Sequence, residues 1–274
     1  MALRCVYTDL DGTLLGRAGA LFRDADGGFT MLAARGLEAC FRAGAEVVLK
    51  SGRRRATVAE DARLLGQTSF IFEVGCGLVI DGEETLLIGS LAPREGQTVY
   101  ELIEESGAPA LLFDRYAGRL EYHSPWHAGR EISHLMRGLV DVDEANALLT
   151  EHGFGELRLV DNAAIAPRPS LPDLPAAPHA YHLIPRAASK ADAVARHMQA
   201  RGYAPGECIG VGDSREDLGV ADVVGRFFLV ANSVERDPSI RDSIGGRANV
   251  EVTEGRNGEG FYEAVVRSLA EGRS

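Results

Sequence analysis

The sequence predicts an α/β fold, a parallel-sheet core interrupted by a separate α+β unit. Three observations predict it. Up to Gly75, short apolar runs alternate with amphipathic stretches of helical length, the pattern of βαβ units around a parallel sheet. The same alternation returns after Ser189. Between the two lie short, closely spaced apolar runs, two or three helical stretches and a proline-rich segment, which read as antiparallel strands mixed with helices.

Leu3 to Tyr7 reads as a buried strand. Thr30 to Arg42 reads as an amphipathic helix with Leu32, Leu37 and Phe41 on one side. Ala45 to Leu49 is the next strand and runs into Lys50-Ser51-Gly52. Arg53 to Leu65 is helical and Ser69 to Glu73 strand-like. Leu78 to Ile80 and Leu86 to Ile88, around Asp81-Gly82, read as a hairpin.

In the middle unit, Thr98 to Ser106, Glu131 to Arg137 and Glu144 to His152 read as helices. Ala110 to Phe113, Leu120 to His123 and Glu156 to Asp161 read as strands. Pro167 to Pro178 contains five prolines and is a stiff connector. Ser189 to Arg201 is again a helix, Cys208 to Val211, Phe227 to Val230 and Asn249 to Thr253 are strands, and Gly260 to Leu269 is a closing helix. The domains expected are therefore a core over 1–85, an inserted α+β domain over 86–184, and the rest of the core over 185–274.

At 274 residues, 45% hydrophobic and 25% charged, the chain has the composition of a globular protein with a substantial core. Its net charge of −11 argues against nucleic acid or an anionic membrane surface as partner. It leaves an anionic small molecule open, because a metal ion inverts the local field. No apolar run approaches the roughly 20 residues of a membrane span. Asp9 and Asp11 interrupt any signal-peptide core. Cys5, Cys40, Cys76 and Cys208 form no CxxC pair and read as buried hydrophobes of a cytoplasmic protein. The sequence leaves the oligomeric state open.

The chemistry concentrates in Asp9-Leu10-Asp11-Gly12-Thr13, directly after the first strand. Alone, this segment equally suits an Asx-type turn. Three later segments change that: Ser51 follows the second strand, Lys190 opens a helix, and Gly212-Asp213-Ser214-Arg215-Glu216-Asp217 follows a later strand. Open parallel sheets bind ligands beyond the carboxyl ends of their strands, so one edge would gather this set. Two carboxylates there can hold a hard cation and attack phosphorus. Mg²⁺ bridging Asp9 and a phosphate oxygen would remove the repulsion between carboxylate and phosphate, with Asp213 and Asp217 as further ligands. Lys190 can neutralise Asp9 and the phosphoryl group. The Ser51 hydroxyl and nearby backbone N–H groups, at Gly52 among them, can hold phosphate oxygens. Asp11 can protonate the leaving alcohol and then activate water. Plainer roles exist too: Ser51 as a helix cap and Lys190 as an exposed helix residue behind the Ser189 cap, Asp217 as a helix-start acid and Asn232 as a turn residue, while Arg53 either faces solvent or touches phosphate or a cap acid.

The segments DLDGT, KSGR, SKADAV and GDSREDL resemble, in order, the four motifs of the haloacid dehalogenase-like (HAD) hydrolase superfamily. The resemblance implies a Rossmann-like core, an Asp9 nucleophile, Asp11 as acid and base, and a Mg²⁺ site from Asp9, the Asp11 main-chain carbonyl and Asp213. It also implies Ser51 and Lys190 as phosphate binders. The second aspartate favours phosphatases over dehalogenases. The long insert between Ser51 and Lys190 resembles the C2-type cap of Cof-type, sucrose-phosphate and mannosyl-3-phosphoglycerate phosphatases. Phe70 to Gly75 is similar to that group's ivENGa segment, with Val74 where Asn is usual. The ending Val252-Thr253-Glu254 with Gly258-Glu259-Gly260-Phe261 is similar to the mannosyl-3-phosphoglycerate branch. The expectation is a Mg²⁺-dependent phosphatase of a sugar phosphate or glycosyl phosphoglycerate, acting through an aspartyl-phosphate. A sugar phosphomutase is the enzymatic alternative, and a phospho-accepting module the non-enzymatic one.

Within the insert, Trp126 could stack on a sugar ring, and Arg130 and Arg137 could grip a second anionic group. His127, Arg130, His134 and Arg137 recur at helical spacing. The plainer reading is a polar helix face with Trp126 in the cap core.

Overall fold

The computed structural model describes residues 2–166 and 169–272. The chain runs β1 (Cys5–Thr8), α1 (Leu32–Ala43), β2 (Glu46–Lys50), α2 (Arg55–Leu64), β3 (Ser69–Phe72), β4 (Gly77–Ile80) and β5 (Glu83–Leu86). The insert follows with α3 (Val99–Ser106), α4 (Ala108–Arg115), β6 (Leu120–Tyr122), β7 (His134–Gly138), α5 (Val142–Glu151), β8 (Leu157–Ala164) and β9 (His179–Pro185). It then returns through α6 (Lys190–Arg201), β10 (Cys208–Gly212), α7 (Arg215–Leu218), β11 (Arg226–Leu229), α8 (Ala231–Arg236), α9 (Ile240–Ile244), β12 (Val250–Val252) and α10 (Asn257–Glu271).

Two sheets result. The larger has the order β12-β11-β10-β1-β2-β3-β4-β5. Its pairs are parallel from β12 to β3 and antiparallel from β3 to β5. The central strands β1, β3 and β10 are buried along their whole length, which suits their unbroken apolar or small-residue runs. Chain order reverses at β1, between β2 on one side and β10 on the other, which makes the β1/β10 edge the switch point where ligands bind in such sheets. The smaller sheet, β6-β7-β9-β8, is antiparallel throughout and lies entirely within the insert.

Most expected elements appear with ends shifted by a few residues. Asp81-Gly82 makes the expected hairpin turn with both residues left-handed, and its second strand starts three residues earlier than expected, at Glu83. Two expectations fail. Ala110 to Phe113 is helical, inside α4, where Pro109 suits the first turn after the left-handed Gly107. Glu131 to Arg137 is not a helix. His134–Gly138 is a fully buried strand pairing with β6 and β9 at once, so tertiary pairing overrides the helical spacing, and His127, Arg130, His134 and Arg137 share no helical face. The proline-rich connector joins β8 to β9, and Pro167 lies outside the described residues. All four cysteines are buried and free. No helix of the described residues is long and apolar enough to cross a membrane.

Candidate active site

Asp9 follows β1 at the switch point, its N–H donating to the Val211 carbonyl of β10 (3.1 Å). The chain then turns sharply: Leu14 N–H returns to the Asp9 carbonyl (3.2 Å) and Leu15 N–H to the Leu10 carbonyl (2.9 Å). Gly12 has φ +86°, and a β-carbon there would lie 2.3 Å from Asp213 Oδ2. Only glycine lets the loop after β1 and the loop after β10 come this close.

Asp9, Asp213 and Asp217 converge, each offering a carboxylate oxygen within 4.8 Å of the others. Lys190 Nζ donates to Asp9 Oδ1 and to Asp217 Oδ1, both at 2.9 Å. Lys50, at the end of β2, donates to the same Asp217 oxygen. Asp217 Oδ2 accepts the Ser214 hydroxyl (2.6 Å), and Arg236 Nη2 donates to Asp213 Oδ2 (2.9 Å). Three buried carboxylates thus face two buried lysines and the more exposed guanidinium of Arg236.

Burial pushes the Asp9 carboxyl up to about 7, with Asp217 and Asp213 adding to it against the pull of Lys190 and Lys50. Burial likewise raises Asp213. Asp217 goes the other way: burial opposes its charge, but Lys190 and Lys50 hold it well below the carboxylate range. Lys190 is held above its usual range by Asp217 and Asp9 despite burial, whereas burial lowers Lys50.

This donor set fits a hard cation, because it is all oxygen, and Asp9 and Asp213 carry negative charge that burial penalises. Asp217 suits the role less. Its oxygens already accept from two lysines and a serine, so it acts first as their counter-ion.

Asp11 turns away from this cluster. Its carboxylate accepts Arg53 Nε and Nη2, each at 2.6 Å, while Arg53 Nη1 binds Asp61 (2.7 Å). Ser51 sits at the end of β2, its Oγ accepting the Arg53 N–H (3.1 Å), which leaves the hydroxyl proton for an incoming oxygen. Asn232, whose amide donates to the Gly12 carbonyl (2.9 Å) and accepts from Asn257 N–H (2.8 Å), ties loops together.

The segment after β3 contacts both phosphate-binding candidates. Glu73, Val74 and Gly75 are all left-handed (φ +47°, +59° and +89°). Val74, which stands where Asn is usual, therefore holds a conformation that Asn tolerates and a β-branched residue rarely adopts. Val74 N–H donates to the Ser51 carbonyl (3.0 Å). A β-carbon on Gly75 would lie 2.1 Å from the Ser189 carbonyl oxygen, beside Lys190.

The insert roofs this edge. Arg130 Nη1 donates to the Gly52 carbonyl (3.0 Å). Glu73 accepts the backbone N–H groups of Glu131 (3.0 Å), Ile132 (3.2 Å) and Ser133 (2.6 Å), and the Ser133 hydroxyl (2.8 Å). A β-carbon on Gly52 would meet Asn162 Nδ2 at 2.8 Å and His182 Nε2 at 3.1 Å.

Of the three insert residues singled out from the sequence, only Arg130 reaches this edge. Trp126 is 63% exposed, so it lies outside the cap core, and its carbonyl accepts Arg130 Nε. Arg137 binds Glu121, the Ser124 carbonyl and Ser170 within the insert. Sequence reasoning missed Lys50, Glu73, His182 and Arg236. Lys50 alone leaves a signal, as a lysine closing an otherwise apolar strand.

No family model matches the chain. Over 268 residues it is 25% identical to the phosphoglycolate phosphatase of Methanoculleus marisnigri, an alignment covering 97% of this chain and 96% of that one. Among solved structures it is similar to the sucrose-phosphatase of Synechocystis sp., determined with sucrose and phosphate, with a TM-score of 0.66, 15% identity and 98% of each chain covered. A haloacid dehalogenase-like hydrolase from Bacteroides thetaiotaomicron superposes with a TM-score of 0.61 at 14% identity, over 97% of this chain and 99% of that one.

Proposed function

We propose that this chain, whose fold is that of the haloacid dehalogenase-like hydrolases with a cap, is a phosphatase hydrolysing a small organic phosphate monoester in two steps. The observation that carries this reading is Asp9 at the switch point of the sheet, 2.9 Å from the buried ammonium of Lys190 and beside Asp213.

An oxygen of Asp9 attacks phosphorus, the ester P–O bond breaks, and the departing alcohol oxygen takes a proton from Asp11, which enters this step as the protonated acid, whereas the resting structure holds it as a carboxylate against Arg53. Asp11, now a carboxylate, takes a proton from water. The hydroxide attacks phosphorus, and the bond from phosphorus to Asp9 breaks, freeing phosphate and restoring both side chains. Lys190 balances charge on Asp9 and the phosphoryl oxygens, and the Ser51 hydroxyl donates to one of them. Mg²⁺ held by Asp9 and Asp213, with the Asp11 main-chain carbonyl, would offset repulsion between two anions. Asp217 is the shared counter-ion of both lysines and holds them in place.

The relatives named phosphoglycolate phosphatase support a small phosphorylated acid as substrate. The likeness to sucrose-phosphatase, together with the resemblance of the motifs, supports a sugar phosphate or a glycosyl phosphoglycerate. A panel of all three classes, assayed for phosphate release with Mg²⁺ and with EDTA, tests the reading. Release is expected to be metal-dependent and lost in Asp9→Asn. Full activity in that variant would overturn the mechanism.

A further inference from the structure

The roof over the phosphate loop carries a hydrogen-bond relay that the two steps above leave unused. Its members are Glu73, Ser133 and His182, all buried. Glu73 leaves the core strand β3, Ser133 precedes β7, and His182 lies on β9.

The relay fixes which way each proton points. Glu73 as a carboxylate can only accept, so the Ser133 hydroxyl donates to it (2.8 Å). The two lone pairs of Ser133 Oγ then accept from Arg130 Nη1 (3.0 Å) and from His182 Nδ1 (3.3 Å). His182 therefore carries its proton on Nδ1, and its Nε2 presents a lone pair. That nitrogen lies against Gly52, which follows the phosphate-binding candidate Ser51: a β-carbon on Gly52 would meet it at 3.1 Å, and Asn162 Nδ2 at 2.8 Å.

We propose that His182 is a specificity-determining residue: its Nε2 accepts a hydrogen bond from a hydroxyl on the leaving group and disfavours a carboxylate there. The inference rests on the phosphatase reading and adds a residue that separates leaving groups offering a hydroxyl from those offering a carboxylate. A buried acceptor meeting a second acceptor loses its hydration without replacement, whereas a hydroxyl restores it. Burial, with Arg130 and Lys190 nearby, holds the imidazole well below its ordinary range, so it does not become a donor to the carboxylate by taking up a proton. Glu73 and Ser133 are positioning residues, since they act through the tautomer of His182.

The test uses the full chain with Mg²⁺ and compares glycerol 3-phosphate with propyl phosphate, which differ only in hydroxyls, and with 2-phosphoglycolate. The wild type is expected to prefer glycerol 3-phosphate over each by about tenfold in kcat/KM, the worth of one good hydrogen bond. His182→Phe is expected to bring all three within about threefold of one another, and His182→Gln, whose amide oxygen can accept, to recover part of the preference. Ser133→Ala, which frees the tautomer, is expected to weaken the preference without abolishing activity. Inhibition by inorganic phosphate should change by less than about twofold in each, since the phosphoryl site is untouched. Should His182→Phe fold poorly, Ser133→Ala carries the test alone. A wild type that prefers 2-phosphoglycolate, or a preference unchanged in both His182→Phe and Ser133→Ala, overturns the assignment while leaving the phosphatase reading intact. A wild type that releases phosphate from no ester overturns the phosphatase reading itself, and this assignment with it.

Discussion

Arg53 holds Asp11 in a two-pronged ion pair, Nε to Oδ2 and Nη2 to Oδ1, both at 2.6 Å. The same guanidinium reaches Asp61 with its third nitrogen, so its plane is fixed from both sides. A planar fork of this kind sets the orientation of a carboxylate as well as its charge. Arg53→Lys, which keeps the charge and loses the fork, is expected to lower kcat about tenfold with KM within about threefold. Arg53→Ala should lower kcat further. Steady-state kinetics on any accepted ester check this, and an unchanged kcat in Arg53→Lys would detach Arg53 from the function of Asp11.

Lys50 and Lys190 share one oxygen of Asp217 in a fully buried cluster. Lys50→Met removes one cation and leaves the carboxylate under-compensated. It is expected to cost about 3 kcal/mol, read from urea unfolding at neutral pH. Asp217→Asn should cost a similar amount. The double variant is expected to lose clearly less than the two single losses combined, because neither partner is left alone. Strict additivity would mean that the two residues do not sense each other.

Gly75 and Gly82 are both left-handed, at φ +89° and +91°. A β-carbon meets nothing within 4 Å at Gly82 but meets the Ser189 backbone at Gly75. Gly82→Ala is therefore expected to cost only the conformational penalty, about 1 kcal/mol, with activity unchanged. Gly75→Ala adds a collision with the opening of α6, and kcat/KM should fall at least about tenfold as Lys190 is displaced. Equal effects from the two substitutions would refute the close approach.

His134, stacked on Tyr100 at 3.8 Å between ring centres, is held down to about 4 by burial, with Arg130 acting in the same direction. Unfolded, it titrates near 6.5. Between these values the unfolded chain binds the extra proton. Stability is therefore lost as pH falls from about 6.5 towards 4, by up to roughly 3 kcal/mol from this residue. His134→Phe is expected to show a shallower loss than wild type across that window in urea titrations. Parallel curves would show that His134 does not titrate there.

Asp9, Ser51 and Asp213 are legible in the sequence because each follows a strand-like run, and a parallel sheet aligns such ends. Lys190 is legible only as a member of that ordered set, because the serine cap that opens its helix suits a plain helix residue equally well. Lys50 is harder, since its partner lies 167 residues away and only the closed sheet brings them together. Glu73 looks like an ordinary strand end, and its four donors all come from the insert. Inside the insert, spacing misleads: the helical period of His127, Arg130, His134 and Arg137 is a coincidence in a segment whose pairing with β6 and β9 decides its form. Trp126 shows that an aromatic in such a segment need not be buried.

The chain leaves the core after β5 and re-enters before α6, and at this crossing a β-carbon on Gly89 would touch Cβ of Ala187 at 2.9 Å. Departure and return are thus neighbours, as at the neck of a purse. What hangs from that neck can change in length without parting its two ends, provided a replacement also supplies donors to the buried Glu73. The core sheet, with Asp9, Lys190 and Asp213 on its edge, need not shift a strand to accept it. Such a graft would separate the chemistry at the strand ends from the choice of molecule made above them.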